Sequence, residues 1–239
     1  MVNHVDHGRR AELATRLKAV RARIAKACQA AGRPSSEVTL IAVTKTYPVS
    51  DVALLGELGV ANIGENRDQE AAPKAAEAAA LGIDVTWHFV GQLQTNKAAS
   101  VVSYARVIHS VDRLRLASAL GSRARAAGRA VTCLVQVSLD GDPRRGGAFG
   151  AQVTEVADAV ADQDGLTLGG VMAIAPLGEP AGVAFGKLSE IAAAVRSAHP
   201  GAVMISAGMS DDLEQAIAAG ATHVRVGTAL LGGRRPFVR

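Results

Sequence analysis

Eight short apolar runs, each followed by a stretch of helical periodicity, recur along the 239 residues. This alternation is the strongest constraint on the fold. A helix between two strands returns the chain to the same edge of a sheet in the same direction, so the strands must be parallel. A helical stretch at 8–31 leads, with Leu13, Leu17, Val20, Ile24 and Cys28 at three-to-four spacing, and Gly32 and Pro34 end it. The apolar runs follow at 38–44, 62–65, 85–90, 107–111, 130–139, 166–174, 203–207 and 223–226. They show little polar alternation, as expected of strands covered on both faces. The predicted fold class is α/β: a single (β/α)8 TIM barrel with an extra N-terminal helix, occupying 1–239 as one domain without a linker. The rival is an open doubly wound sheet, but its glycine-rich turn after the first strand is missing. Thr44-Lys45-Thr46 stands there instead.

Composition narrows the function classes. No apolar run approaches the 18 or so residues of a membrane span. The first ten residues are polar, without an apolar signal-type core, and a cytoplasmic location is expected. Cys28 and Cys133 fall in a helix and a strand, without zinc-ligand spacing, and are read as reduced thiols. The net charge of +4 invites a search for a nucleic-acid surface. However, Arg16, Lys18, Arg21, Arg23 and Lys26 read as a solvated helix face. Aromatics, at 3%, are too scarce to stack bases. Neither nucleic acid nor membrane is expected as a partner, whereas a positive balance favours small anions such as phosphates.

In a (β/α)8 barrel the chemistry gathers at the C-terminal ends of the strands. Lys45 ends the first. A lysine at that rim, partly withdrawn from water, is a residue type that attacks carbonyls. The alternative is a rim lysine paired with Glu65. After the seventh strand, Ser206-Ala-Gly-Met-Ser-Asp-Asp212 offers small residues and capping side chains. Gly227 and Thr228 follow the eighth, so both turns suit a phosphate or are simply capped helix starts. Arg225 interrupts the last strand. Facing inward it needs an acceptor; facing outward it pairs with a helix acid. His88 and His109 read as core or rim histidines. The loop at 140–147, DGDPRRGG, reads as a solvated turn, although it has the look of a phosphate-reaching loop.

Several blocks together resemble the YggS/PROSC family of pyridoxal phosphate (PLP) homeostasis proteins over nearly the whole chain. They are Ala42-Val-Thr-Lys45, Gly64-Glu-Asn66, Trp87-His-Phe-Val-Gly-Gln-Leu-Gln-Thr-Asn-Lys97, Gly170-Val-Met-Ala173, Ser206-Ala-Gly-Met-Ser-Asp-Asp212 and Val224-Arg-Val-Gly-Thr228. The resemblance implies a barrel like the N-terminal domain of alanine racemase, with pyridoxal 5′-phosphate as cofactor, held as a Schiff base on Lys45. It places the phosphate near Ser206, Gly208, Gly227 and Thr228, Asn66 beside the ring, and Arg225 opposite the pyridine nitrogen. Ala207 stands where the family commonly has methionine, which implies looser packing beside the ring. The function implied is holding, buffering and supplying PLP to apo-enzymes, without robust catalysis. The alternative is a small racemase-like enzyme. Racemases of this fold draw a catalytic tyrosine from a second domain, which is not expected here, and Tyr47 is the tyrosine nearest the rim. A monomer without catalytic residues of its own, and without a metal, is the expectation.

Overall fold

The computed structural model describes residues 7–142 and 145–233. The polar segment at 1–6, and Pro143 and Arg144 of the loop at 140–147, lie outside them. Among the described residues, eight strands close into a parallel barrel in sequence order. They are β1 Thr39–Val43, β2 Asn62–Glu65, β3 Thr86–Phe89, β4 Val107–Val111, β5 Val131–Gln136, β6 Leu166–Met172, β7 Met204–Ser206 and β8 His223–Val226. β8 closes on β1 with Ile41 opposite Arg225.

The helices are α1 His7–Ala30, α2 Val49–Glu57, α3 Asp68–Ala80, α4 Ala98–Tyr104, α5 Leu114–Ala126, α6 Gln152–Ala161, α7 Ala181–Ala198, α8 Leu213–Ala218 and α9 Thr228–Leu231. Their apolar stripes pack on the outer faces of the strands in two large clusters. One joins α4, α5, α6 and α7 to the middle strands around Phe89, Leu120, Val135 and Phe185. The other joins α1, α2 and α8 to β1, β2 and β8 around Leu13, Leu55, Ile63 and Val224. Cys133 packs in the first cluster and Cys28 in the second, and both are free thiols.

The helix after the eighth strand, α9, has only four residues and cannot cover the closure of β8 on β1. The leading helix α1 does so, burying Leu13, Leu17, Val20 and Ile24 and packing on α8 and α9. Arg9 of α1 locks this cover. Its guanidinium donates to Asp51 Oδ1 and Oδ2 on α2 (3.2 and 2.7 Å) and to the Leu231 carbonyl on α9 (3.0 Å). Both side chains are buried, at 6% and 3% exposure. The basic residues farther along α1 are largely engaged: Arg16 pairs with Glu12, Arg23 with Glu214, and Arg21 donates to the carbonyls of Leu58 and Gly59.

Inside the barrel the filling is divided. Val107, Leu134 and Met172, with Met204, form a small apolar cluster. His88, His109, Ser206 and Arg225 are also buried there and are polar. The apolar runs overestimate some strands. β5 stops at Gln136 because Val137 leaves the ladder to bridge Ala148, at the root of the following loop. β6 stops at Met172, and Val203 precedes β7 at 54% exposure.

An isolated buried charge is costly. Removing Asp51 leaves Arg9 still paired with Glu12 at 2.8 Å, whereas removing Arg9 leaves the buried Asp51 carboxylate without its guanidinium. Arg9→Ala is expected to lose about 3–5 kcal/mol of unfolding free energy in urea. A loss under about 1 kcal/mol would show that α1 is not clamped by this pair.

Candidate cofactor-binding site

A cavity of about 390 Å³ opens at the C-terminal end of the barrel. Lys45 reaches it directly after β1 and is half-buried. Among the described residues it makes no hydrogen bond or ion pair. The pairing with Glu65 is excluded by geometry. Glu65 lies outside the barrel wall, where its Oε1 accepts from Lys74 Nζ of α3 at 2.5 Å and from Thr44 Oγ1 at 2.7 Å. Lys74 also donates to the Thr44 carbonyl at 2.8 Å. Burial pushes the Glu65 carboxyl upward, while the neighbouring Lys74 draws it back. One lysine is thus spent on Glu65 and the other left facing the cavity. Thr46 follows with φ of 68°, a left-handed conformation that is strained for a β-branched residue and costs on the order of 1–3 kcal/mol. Its hydroxyl is buried without a partner, and so is Oδ1 of Asn66.

Arg225 points inward from β8, the strand beside β1, toward β7 and the end of β6. It is 5% exposed. Its Nη1 donates to Ser206 Oγ at 2.6 Å and its Nη2 to the Ala173 carbonyl at 2.9 Å. No carboxylate pairs with it among the described residues. Burial lowers its pKa to about 10, with Asp212 acting in the other direction, so the guanidinium stays charged at neutral pH. Three of its five N–H groups remain uncommitted by these bonds.

Of the residues expected at the site, Lys45, Asn66, Arg225, Gly227 and Thr228 line this one cavity. Ser206 does not. It is fully buried, and its hydroxyl is taken by Arg225 and by His109. Gly208 does not line the cavity either. With φ of +85°, and Ala216 Cβ at 2.6 Å from where its own Cβ would stand, it shapes the turn into α8. Ser210, four residues beyond Ser206, lines the cavity and accepts from the Ala229 amide at 3.2 Å. Ala207 packs in the outer cluster, so the change from methionine alters the layer between sheet and helices and not the cavity wall.

Arg145, Gln136, Gln92 and Tyr47 complete much of the polar lining. Arg145 is anchored by Asp140 Oδ2 and the Ala175 carbonyl, both at 3.1 Å, so the loop read as a solvated turn does reach the cavity. Gly91 brings the β3–α4 loop against the Asn66 backbone; a Cβ there would lie 2.0 Å from the Asn66 carbonyl oxygen. The lining carries three cationic side chains, Lys45, Arg145 and Arg225, against one carboxylate, Asp211. The cavity is therefore an anion site with an available amine and a buried donor.

Residues 15–235 match the alanine racemase N-terminal domain family. The chain is 45% identical over 244 residues to the pyridoxal phosphate homeostasis protein of Mycobacterium tuberculosis, covering 95% of both. The chain belongs to the pyridoxal phosphate homeostasis protein family. Among solved structures, PipY of Synechococcus elongatus, determined with PLP bound, matches with a TM-score of 0.80 and 36% identity over 92% of this chain and all of PipY. An alanine racemase of Clostridium difficile shares the fold, with a TM-score of 0.71 at 13% identity, over 95% of this chain and 58% of the racemase.

Three histidines, His88 and His109 buried and His223 half-buried, shape the electrostatics behind the cavity. Burial holds His88 down to about 3, with His223 adding to the effect. Burial, with Arg225 adding, holds His223 down to about 4. His109 lies well below its usual value through burial and the neighbouring His88, Arg225 and His223. All three are neutral in the folded protein at physiological pH. The unfolded chain takes up their protons below about pH 6.5, so it binds more protons than the folded one from there downward. Stability should be complete above pH 6.5 and fall as the pH drops towards 4. Each histidine adds a slope of about 1.4 kcal/mol per pH unit. Urea unfolding between pH 7.5 and 5 measures this, and a flat profile would contradict three neutral rings.

Proposed function

We propose that this protein holds pyridoxal 5′-phosphate in the cavity, with Lys45 as its point of covalent attachment, and buffers or supplies it to apo-enzymes without robust catalysis of its own. One juxtaposition carries the reading: a lysine amine without a partner and a buried, carboxylate-free arginine face the same cationic cavity. When bound, the cofactor supplies an aldehyde that condenses reversibly with a primary amine.

The chain's own groups fit that ligand. Lys45 meets the aldehyde. Ser210, Gly227 and Thr228 lie together at the α8 and α9 starts, where small residues admit a phosphate. The Ser210 hydroxyl takes the role first expected of Ser206 and Gly208. Asn66 and Thr46 each bring a buried oxygen lacking a partner, which a ligand or water would satisfy. Arg225 offers N–H groups to a ring acceptor. Because a guanidinium donates hydrogen bonds and does not readily release a proton, it restrains the electron withdrawal that carbanion chemistry requires. Retention and release are therefore favoured over turnover.

Incubation with PLP, borohydride reduction and peptide mass spectrometry should find the label on Lys45. Lys45→Ala should lose the label while remaining folded, since no partner of Lys45 is stranded. Equal labelling of that variant would overturn the assignment. Holo-protein in deuterated water should leave the α-proton of L-alanine unexchanged on the time scale of enzymatic turnover; lysine-dependent exchange would favour a racemase-like enzyme.

A further inference from the structure

Behind Arg225 a row of polar side chains crosses the barrel interior. Arg225 Nη1 lies 2.6 Å from Ser206 Oγ on β7. Ser206 Oγ lies 2.9 Å from His109 Nδ1 on β4. His109 Nε2 lies 2.9 Å from His88 Nδ1 on β3, and His88 Nε2 lies 2.9 Å from Asn62 Oδ1 on β2. β4 and β7 are not neighbours in the barrel, so the Ser206–His109 bond is a strut across its interior. His109 and Ser206 are fully buried, and His88 is 2% exposed.

The direction of every bond follows from the ends. Asn62 Oδ1 only accepts, so His88 donates from Nε2. A neutral His88 then accepts at Nδ1, which makes His109 the donor at Nε2 and an acceptor at Nδ1. Ser206 must donate its single proton to His109, and its remaining lone pairs receive Arg225. Simple burial would not call for this arrangement, because apolar Leu134, Met172 and Met204 fill the adjacent interior. Alone, the Ser206 hydroxyl could rotate and aim its proton elsewhere. Tied to His109, it can only accept from Arg225.

We propose that Ser206, His109, His88 and Asn62 are positioning residues for Arg225: their one-way hydrogen-bonded chain pins the guanidinium so that its uncommitted N–H groups meet the ring nitrogen of the ligand in the cavity. The inference rests on the reading of the cavity as a PLP site. It separates the role of Ser206 from that of the phosphate turn.

The test compares dissociation constants for PLP and for a carbocyclic analogue in which C–H replaces the ring nitrogen and the aldehyde and phosphate are kept. The readout is the preference for PLP over the analogue, in wild type relative to each variant. His109→Phe and Ser206→Ala should each reduce that preference about tenfold, the scale of one hydrogen bond to a charged donor. His109→Asn, which keeps an acceptor near the Nδ1 position, should retain most of it. A purely structural role would weaken both ligands equally, and a preference unchanged within about twofold in Ser206→Ala would overturn the proposal. Ser206→Ala removes only a hydroxyl, so it decides the matter if His109→Phe does not fold. An unchanged preference in the variants, with Lys45 still labelled by borohydride, would reject the chain and leave the PLP reading intact. Failure of wild type to bind either compound would reject both.

Discussion

A buried guanidinium without a carboxylate organises the upper half of this barrel. Withdrawing Arg225 from water is costly unless its donors are satisfied. The fold meets that cost with two neutral acceptors, Ser206 Oγ and the Ala173 carbonyl. A carboxylate would bind the arginine more firmly, but it would also cancel the charge. Neutral acceptors leave the full positive charge at the cavity wall. They also require the histidines behind them to stay neutral, since a second charge in the same interior would have no compensation. Burial is what chiefly holds these histidines neutral, and the Arg225 charge adds to it at His109 and His223.

The leading helix belongs to the same design. The sequence pattern marks α1 as amphipathic but does not say what it covers. The brevity of α9 leaves the β8–β1 seam open, and α1 fills it. The clamp reaches the cavity through Tyr47, whose ring lies 5.5 Å from the Arg9 guanidinium carbon. The Tyr47 hydroxyl lies 3.0 and 2.8 Å from the Gly232 and Gly233 carbonyl oxygens, either of which can take its single proton. Tyr47 and Gly232 both line the cavity, so the α1 clasp and the site share a wall.

The barrel was legible because its signal is local and repeated: each strand and helix carries its own periodicity. Lys45 was legible for the same reason, as a charged residue ending an apolar run. The direction of a side chain on a short strand is different, because one residue of register reverses it. Ser206 looked like a phosphate ligand in the strand-seven turn, yet its hydroxyl faces the interior, and Ser210 takes the rim. Arg145 lay in a segment that reads as a solvated turn, although its composition also suits a phosphate-reaching loop. The Ser206–His109–His88–Asn62 chain joins residues far apart in sequence, with no motif spacing to reveal it. A signal did exist: His88 and His109 sit in apolar strands with no local partner, and a buried histidine must find one at a distance.

The identity of the charged group that shares the cavity with Lys45 decides what such a cavity is good for. A carboxylic acid in place of Arg225 could deliver a proton to a heteroaromatic nitrogen and turn the ring into an electron sink. Arg225 keeps its proton, even with burial lowering its pKa to about 10. Among the described lining residues, Asp211 is the sole carboxylate, and it is solvent-exposed. Lys45 therefore works in a site rich in hydrogen-bond donors and positive charge and poor in acids. Such a site suits an anionic aldehyde and would offer its ring little activation. The strained Thr46 beside Lys45 is held by a carboxylate that does not line the cavity, its amide donating to Glu70 Oε2 at 3.3 Å, so the acid that fixes this turn stays away from the ligand.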